Sequence, residues 1–302
     1  MELSVIVPCY NEQETLEEFY QNVKDVFTKE KITYELIFVD DGSEDDTFNI
    51  LEKISLKDKD VKVISFSRNF GKESAMQAGL LNASLKYVSI IDADMQQKPE
   101  VLVMMYKKLL DNKDYDCVAA YRENRLEEKR LKRSLTSMFY RINNTISDVK
   151  LLPGASDFRV FKSEVKDAII SLKEHDRFLK GIFGYIGFNT IYMPYKPEKR
   201  AYGTSKWSII KLLKYSLGGI LSFSPKIIKI VSLISFVAFL VCFLNFILLG
   251  NLSFRTILFM VGLILLFISV LSLYILRIYN NTLNRPQYII KRKLGFSKKA
   301  TK

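Results

Sequence analysis

Short apolar runs alternate with amphipathic stretches through the first third of the chain. Leu3–Cys9, Glu35–Asp40, Val61–Phe66 and Val88–Asp92 are brief runs bounded by turn residues, the pattern of strands. Glu14–Glu30, Asp45–Leu56, Lys72–Leu85 and Glu100–Asp111 carry apolar residues at helical spacing. Strand and helix in alternation predict right-handed crossovers and a mostly parallel sheet covered on both faces. Ligands of such sheets bind at the carboxyl ends of the strands. Far along the chain the pattern changes. Ile227–Gly250 is apolar apart from Lys229 and Asn245, and Ile257–Ile278 is apolar until Arg277. Each exceeds the ~20 residues that cross a hydrocarbon core, and neither shows the polar stripe of a soluble core helix. The short link Asn251–Thr256 makes the pair a hairpin. Ser205–Phe223 mixes Trp207, Ile209, Ile210, Leu212, Leu213 and Leu217 with Lys206, Lys211 and Lys214. It reads as a helix in the headgroup plane, or as an amphipathic helix packed on the domain. Ser224-Pro225 reads as the N-cap and first turn of the first spanning helix.

Charge sharpens this division. The 302 residues carry a formal charge of +12, with 45 Lys+Arg against 33 Asp+Glu. No acidic residue follows Glu198, whereas 16 Lys/Arg do. A slightly acidic body with a basic end suits nucleic acid or an anionic membrane. These cations flank long apolar runs rather than interleaving with polar residues on a soluble face, which excludes nucleic acid and favours the membrane. Lys226 and Lys229 precede the hairpin, and Arg277, Arg285 and Lys291–Lys293 follow it, so both termini are expected in the cytoplasm. No charged and apolar leader opens the chain, so export of the N-terminal domain is not expected. Three scattered cysteines offer no disulfide framework, and the single histidine, His175, cannot build a zinc cluster.

Polar clusters sit where the strands end. Asp92-Ala93-Asp94-Met95-Gln96 sets Asp92, Asp94 and Gln96 on alternate positions, so that they could converge on one hard cation, Mg²⁺ or Mn²⁺, bridging to a diphosphate. An acidic loop capping the helix near Pro99-Glu100 is the plainer reading. Asp40-Asp41-Gly42-Ser43 could accept from ribose hydroxyls or a base N–H, with the glycine turning the chain. Pro8-Cys9-Tyr10-Asn11-Glu12 fits the same pocket, with Tyr10 stacking and Glu12 on a base or ribose edge. Asn11 is also a candidate N-cap with Glu14 at N3. Neither a G-x-G-x-x-G nor a P-loop pattern is present, so no dinucleotide fold or P-loop is indicated; carboxylates recurring at strand ends, with few glycines, suggest a metal-held nucleotide instead.

The succession VPCYNE, VDDGS, SRNFGKESAMQAGL, DADMQQKPE, GASDFRVF and RAYGTSKWS, spanning residues 3–208, resembles family 2 glycosyltransferases of the GT-A fold. Within them it is similar to the polyprenyl-phosphate glycosyltransferases, dolichol-phosphate mannose synthase and the bacterial bactoprenol glucosyltransferases, whose two-helix hairpin it shares. The family's usual D-L-Q-D-P-P-E reads Asp94-Met95-Gln96-Gln97-Lys98-Pro99-Glu100 here, losing one acidic residue but none of the inferred metal ligands. The resemblance implies that Pro8, Tyr10, Glu12, Asp40, Asp41 and Asp92 hold the nucleotide, and Asp92, Asp94 and Gln96 the metal. Asp157 matches a catalytic base or acceptor-orienting carboxylate. Arg200, Ser205 and Lys206 match a basic loop over the donor diphosphate, with Ser205 also toward the acceptor. Arg122, Arg125 and Arg133 lie where relatives contact the acceptor phosphate, although Arg125 reads equally as helix-surface charge.

These readings divide the chain into a cytoplasmic GT-A domain (1–204), an amphipathic juxtamembrane helix (205–224), two transmembrane helices (225–280) and a basic cytoplasmic tail (281–302). The expected activity is inverting transfer of a hexose from a nucleotide sugar, UDP-glucose by resemblance, to undecaprenyl phosphate, giving a lipid-linked sugar donor for the cell envelope. UDP-GlcNAc and GDP-mannose stay open as donors. The family favours a homo-oligomer, a tetramer being one form. A processive polysaccharide synthase would carry Q-x-x-R-W, which is absent. A membrane-tethered nucleotide-sugar scaffold without turnover would have no need of Asp92, Asp94, Asp157 and Arg200 together.

Overall fold

The computed structural model describes residues 2–122, 137–138, 140–141, 143–175, 177–198, 218–219, 222–224, 226–249 and 254–296. The body alternates β1 (Glu2–Cys9), α1 (Leu16–Lys29), β2 (Thr33–Asp40), α2 (Thr47–Lys57), β3 (Val61–Phe66), α3 (Lys72–Asn82), β4 (Tyr87–Ile90), α4 (Pro99–Asp111) and β5 (Cys117–Arg122). Then come β6 (Ala155–Lys162), α5 (Ser163–Ser171), α6 (Leu179–Tyr185), β7 (Thr190–Tyr195), α7 (Lys226–Leu249), α8 (Phe254–Thr282) and β8 (Ile290–Leu294). They build one sheet in the order β7-β5-β6-β4-β1-β2-β3-β8. Six strands share a direction; β6 and β8 oppose it. This is a mixed α/β sheet of GT-A type.

The core strands are apolar on both faces because helices cover both. Val5 and Val7 face one buried layer with Leu16, Phe19, Val23 and Phe27 of α1, while Ile6 faces the other with Ala75, Met76 and Ala78 of α3. Each fully buried side chain of this kind contributes about 1.5–3 kcal/mol, so α1 is held by its packed stripe. Its observed N-cap is Thr15. Asn11 instead adopts φ +53° and accepts the Glu44 N–H at 2.9 Å, tying the first strand-end loop to the second. α3 approaches β1 so closely that a Cβ on Gly79 would lie 2.2 Å from Ile6 Cγ2. That approach sets the start of α3 above the strand ends where the polar clusters lie.

α7 and α8 are each long and apolar enough to cross a membrane, and their apolar side chains are largely exposed. Their base is tied to the body: Tyr274 Oη donates to the Ser224 carbonyl at 3.0 Å, Arg277 to the Gly218 carbonyl at 3.3 Å, and Lys226 pairs with Asp148 at 2.7 Å. Ser224, expected as an N-cap, donates its hydroxyl to the Ile146 carbonyl at 3.0 Å. The end of the chain differs from the expected tail. After α8 it returns to the body, where β8 pairs antiparallel with β3 and Tyr288 stacks on Phe66 at 4.7 Å. Period-2 apolar alternation is missing from Ile290-Lys291-Arg292-Lys293-Leu294, because edge strands tolerate and favour charge. Both ends of the hairpin therefore meet the same body. Of the expected juxtamembrane helix, only Gly218, Gly219, Ser222, Phe223 and Ser224 lie among the described residues.

Candidate active site

Four strand-end loops form the site, and each is held by side chains from another. Asp40 Oδ1 accepts the Ser43 N–H at 3.0 Å and Oδ2 accepts the Ser65 hydroxyl at 2.7 Å, so its buried carboxylate braces the turn against β3. Asp41 accepts N–H groups of Phe70 at 2.7 Å and Gly71 at 2.9 Å, clasping the loop that launches α3. Gly42, at φ +66°, allows this meeting, since a Cβ there would stand 2.3 Å from the Arg68 carbonyl carbon. Glu12 donates its N–H to Thr47 Oγ1 at 2.8 Å, and Asn11 its N–H to Ser43 Oγ at 2.9 Å. Pro8, Tyr10 and Glu12 are half-buried at the end of β1, beside β2 and β4.

Burial pushes the Asp41 carboxyl up to about 6, outweighing the two N–H donors that favour its charge. The folded chain thus holds this proton more tightly than the unfolded one. The corresponding stability is full below pH ~4 and is lost as pH rises through about 6. Asp41→Asn keeps an oxygen acceptor for the same N–H groups without the charge. Thermal unfolding in detergent is expected to show the variant gaining on the wild type by about 3 kcal/mol between pH ~4 and ~7. A gap that does not change with pH would contradict this.

The D-x-D loop leaves β4 in an unusual backbone state, with Met95 at φ +61°. Gln97, 3% exposed, pairs reciprocally with Asp92: the Asp92 N–H donates to its Oε1 at 3.0 Å, and its Nε2 donates to Asp92 Oδ2 at 3.1 Å. An aspartate at 97 could not donate, so the amide fixes one oxygen of Asp92. Asp94 Oδ1 accepts the Gln96 N–H at 3.2 Å, and Gln96 Oε1 accepts from Arg122 Nη2 at 3.2 Å. Arg122 ends β5 next to Tyr195; burial opposes its charge, but Tyr195, Asp94 and Asp92 favour it and hold its pKa above the ordinary arginine value. Glu198 lies against the same loop, donating its N–H to the Gln96 carbonyl at 3.1 Å and pairing with Lys98 at 2.8 Å.

Asp157 enters from β6. Antiparallel pairing of β4 and β6 sets Ile90 opposite Arg159, and the same register continued past β4 sets Asp92 opposite Asp157. Lys72, the first residue of α3, bridges them, with Nζ 2.5 Å from Asp92 Oδ1 and 3.5 Å from Asp157 Oδ2. Burial pushes the Asp157 carboxyl up, but Lys180, Lys72 and Arg159 outweigh it and hold the group below the usual aspartate range. Asp157 Oδ1 is buried with no hydrogen-bond partner among the described residues.

This order of loops matches a known pattern. The family model described as glycosyl transferase family 2 covers residues 4–169. The chain belongs to glycosyl transferase family 2. It is 36% identical to the uncharacterized glycosyltransferase YkcC of Bacillus subtilis (strain 168), over 99% of this chain and 96% of that one. It is also 36% identical to the SfII prophage-derived bactoprenol glucosyl transferase of Shigella flexneri, over 97% and 98%. Among solved structures, glucosyl-3-phosphoglycerate synthase from Mycobacterium tuberculosis with Mn²⁺ and uridine-diphosphate-glucose aligns over 72% of this chain and 75% of its own, with TM-score 0.46 and 17% identity. The protein is a glycosyltransferase enzyme.

In this family 2 glycosyltransferase the structure brings together Asp92, Asp94, Gln96, Arg122 and Asp157. Arg122, expected at an acceptor phosphate, reaches the D-x-D loop itself. Asp40 and Asp41 stand at the expected strand end, with their carboxylates engaged by Ser43, Ser65 and the 70–71 loop. Arg125, Arg133, Arg200, Ser205 and Lys206 lie outside the described residues. Sequence reasoning missed Lys72 and Gln97. Lys72 stands inside the quoted SRNFGKESAMQAGL stretch, and a lone lysine opening a helix beside a glycine was its only signal. The donor set suits a hard divalent cation, because two carboxylates and an amide oxygen leave room for substrate phosphate oxygens. Among the described residues no three His, Cys, Asp or Glu side chains gather as a self-sufficient metal cage. The fit is therefore that of a cation completed by its substrate, and Lys72 already sets a positive charge on Asp92 Oδ1.

Proposed function

We propose that this enzyme transfers a hexose, with inversion, from a nucleotide sugar to the phosphate of a polyprenyl lipid at the membrane surface. The observation that carries the reading is the Asp92–Lys72–Asp157 bridge, which joins a donor-side carboxylate to an acceptor-side one in a body tied to two exposed apolar helices. An acceptor phosphate oxygen attacks the anomeric carbon while the bond from that carbon to the nucleoside diphosphate breaks. Asp92, Asp94 and Gln96 would hold Mg²⁺ or Mn²⁺, which when bound neutralises charge on the leaving diphosphate. Tyr10, Glu12 and Pro8 line the nucleoside end, with Asp40 and Asp41 shaping its wall. Arg122 orients Gln96, and Arg200 and Lys206 add positive charge toward the diphosphate. Arg125, Arg133 and Ser205 receive the acceptor.

The lipid phosphate has a second pKa of roughly 6 and is largely ionised at neutral pH. Asp157, held below the usual aspartate range, has little to do as a base and acts by position. In this reading the hairpin anchors the body beside the lipid in the bilayer, and the basic flanks support a cytoplasmic side for that body. The similarity to a bactoprenol glucosyl transferase over nearly the whole chain supports a bactoprenol lipid as acceptor and glucose as the sugar, for which UDP-glucose is the donor proposed. Incubating the purified chain with radiolabelled UDP-glucose, UDP-GlcNAc or GDP-mannose and undecaprenyl phosphate tests this. The expected result is label in the organic-extractable lipid, most from UDP-glucose. No extractable label from any donor would sink the reading.

A further inference from the structure

Lys72 sits between two carboxylates, and its two contacts are unequal. Its ammonium lies 2.5 Å from Asp92 Oδ1 and 3.5 Å from Asp157 Oδ2. The other Asp92 oxygen is taken by the Gln97 amide, so Lys72 covers the one that a second cation would need. Asp157, by contrast, has an oxygen buried with no hydrogen-bond partner among the described residues. A buried acceptor left unmade is costly, and each such group calls for an explanation.

We infer that Lys72 is an exchangeable counter-ion, which neutralises Asp92 until a divalent cation binds there and then moves its charge onto Asp157. The inference rests on the reading of Asp92, Asp94 and Gln96 as cation ligands. Its physical basis is repulsion: an ammonium and a dication on one carboxylate oxygen repel at short range, where charge interactions are strongest. Asp157 offers the displaced ammonium two oxygens, the unpartnered Oδ1 among them. The backbone of Lys72 need not move, because Asp41 clasps the N–H groups of Phe70 and Gly71 just before it. Its four-carbon stem is a third exposed and flexible enough for a short swing. Cation binding on the donor side thus completes an ammonium–carboxylate pair on the acceptor side. An incoming phosphate meets that pair only after the donor site is loaded, which imposes an order on binding.

Mn²⁺ binding to the full-length chain in detergent, with a fixed excess of UDP and no lipid, tests this by electron paramagnetic resonance of the free ion against the same UDP without protein. Lys72→Gln removes the competitor and is expected to tighten Mn²⁺ binding about fivefold or more, while Lys72→Arg stays within about twofold of wild type. Lys72→Met is a second neutral variant should the first fail to fold. Asp157→Asn, which takes the negative charge from the alternative seat, is expected to weaken Mn²⁺ binding in the wild-type background and to have little effect once Lys72 is Gln. A plain loss of nearby negative charge would weaken binding equally in both backgrounds, and that result would overturn the exchange. Unchanged or weaker Mn²⁺ binding in folded Lys72→Gln, while Asp94→Ala still abolishes it, overturns the exchange and leaves the ligand reading standing. No Mn²⁺ binding to the wild type overturns both.

Discussion

Asp94→Ala is expected to lower the rate of sugar transfer by at least about two orders of magnitude, the scale of losing one electrostatic contact to charge developing in a transition state. Asp94 follows β4 in a loop, half-buried, and its Oδ1 accepts the local Gln96 N–H at 3.2 Å. It packs no core, so the thermal midpoint of the variant should stay within a few degrees of wild type. The comparison that checks it is turnover of wild type and variant with excess Mn²⁺, and of wild type in excess chelator. Wild-type rates in either the variant or the chelated enzyme would remove Asp94 from the chemistry.

Asp157 separates two mechanisms with an equally large effect. Loss of an essential general base costs about 10²–10⁴-fold, and an Asn substitution of a base should then be about as damaging as an Ala one. A residue that positions Lys72 beside an already ionised nucleophile behaves differently. Asp157→Asn keeps its shape and one acceptor oxygen for Lys72, so it is expected to retain measurable transfer, whereas Asp157→Ala loses about 10²-fold or more. The pH profile adds a second criterion. Lys180, Lys72 and Arg159 hold Asp157 ionised below the usual aspartate range, so its titration should be absent from the rate between pH ~5.5 and ~8.5. The wild-type rate should instead rise through roughly pH 6 with the second ionisation of a lipid phosphate and stay flat above. Single-turnover measurements on both variants across that range decide; equal, near-complete loss in the two, with a carboxylate titration in the wild-type rate, would restore obligatory base catalysis.

The parts of this molecule governed by short-range pattern were legible from the chain itself. Val61–Phe66 is a strand at its expected bounds, and β1, β2 and α1 to α4 begin and end within a few residues of where apolar spacing and turn residues place them. The two long apolar stretches appear as α7 and α8, because hydropathy over some twenty residues is a local property. The strand-end clusters around Tyr10, Asp41 and Asp94 were likewise visible, since ligand-facing loops of a parallel sheet follow its strands directly. Pairing across the sheet was not. Nothing near Ile290–Leu294 announces that it closes the edge beside β3, more than two hundred residues away, for an exposed edge strand needs no apolar face.

The meeting of Asp92 with Asp157 was hidden for the same reason. It follows from the antiparallel register of β4 and β6, and register is decided by which apolar faces must share a core rather than by the residues that end up adjacent. Lys72 shows the limit most clearly. One lysine at a helix start carries no pattern, and its role arises only because Gly79 lets α3 settle on Ile6 and Asp41 clasps the loop before it. The sequence alone determined the first four strands and helices, the two long apolar helices, the family and the polar residue types that stand at the strand ends. Tertiary packing decided which charges touch, because electrostatic contacts act over a few ångströms in space and are indifferent to distance along the chain.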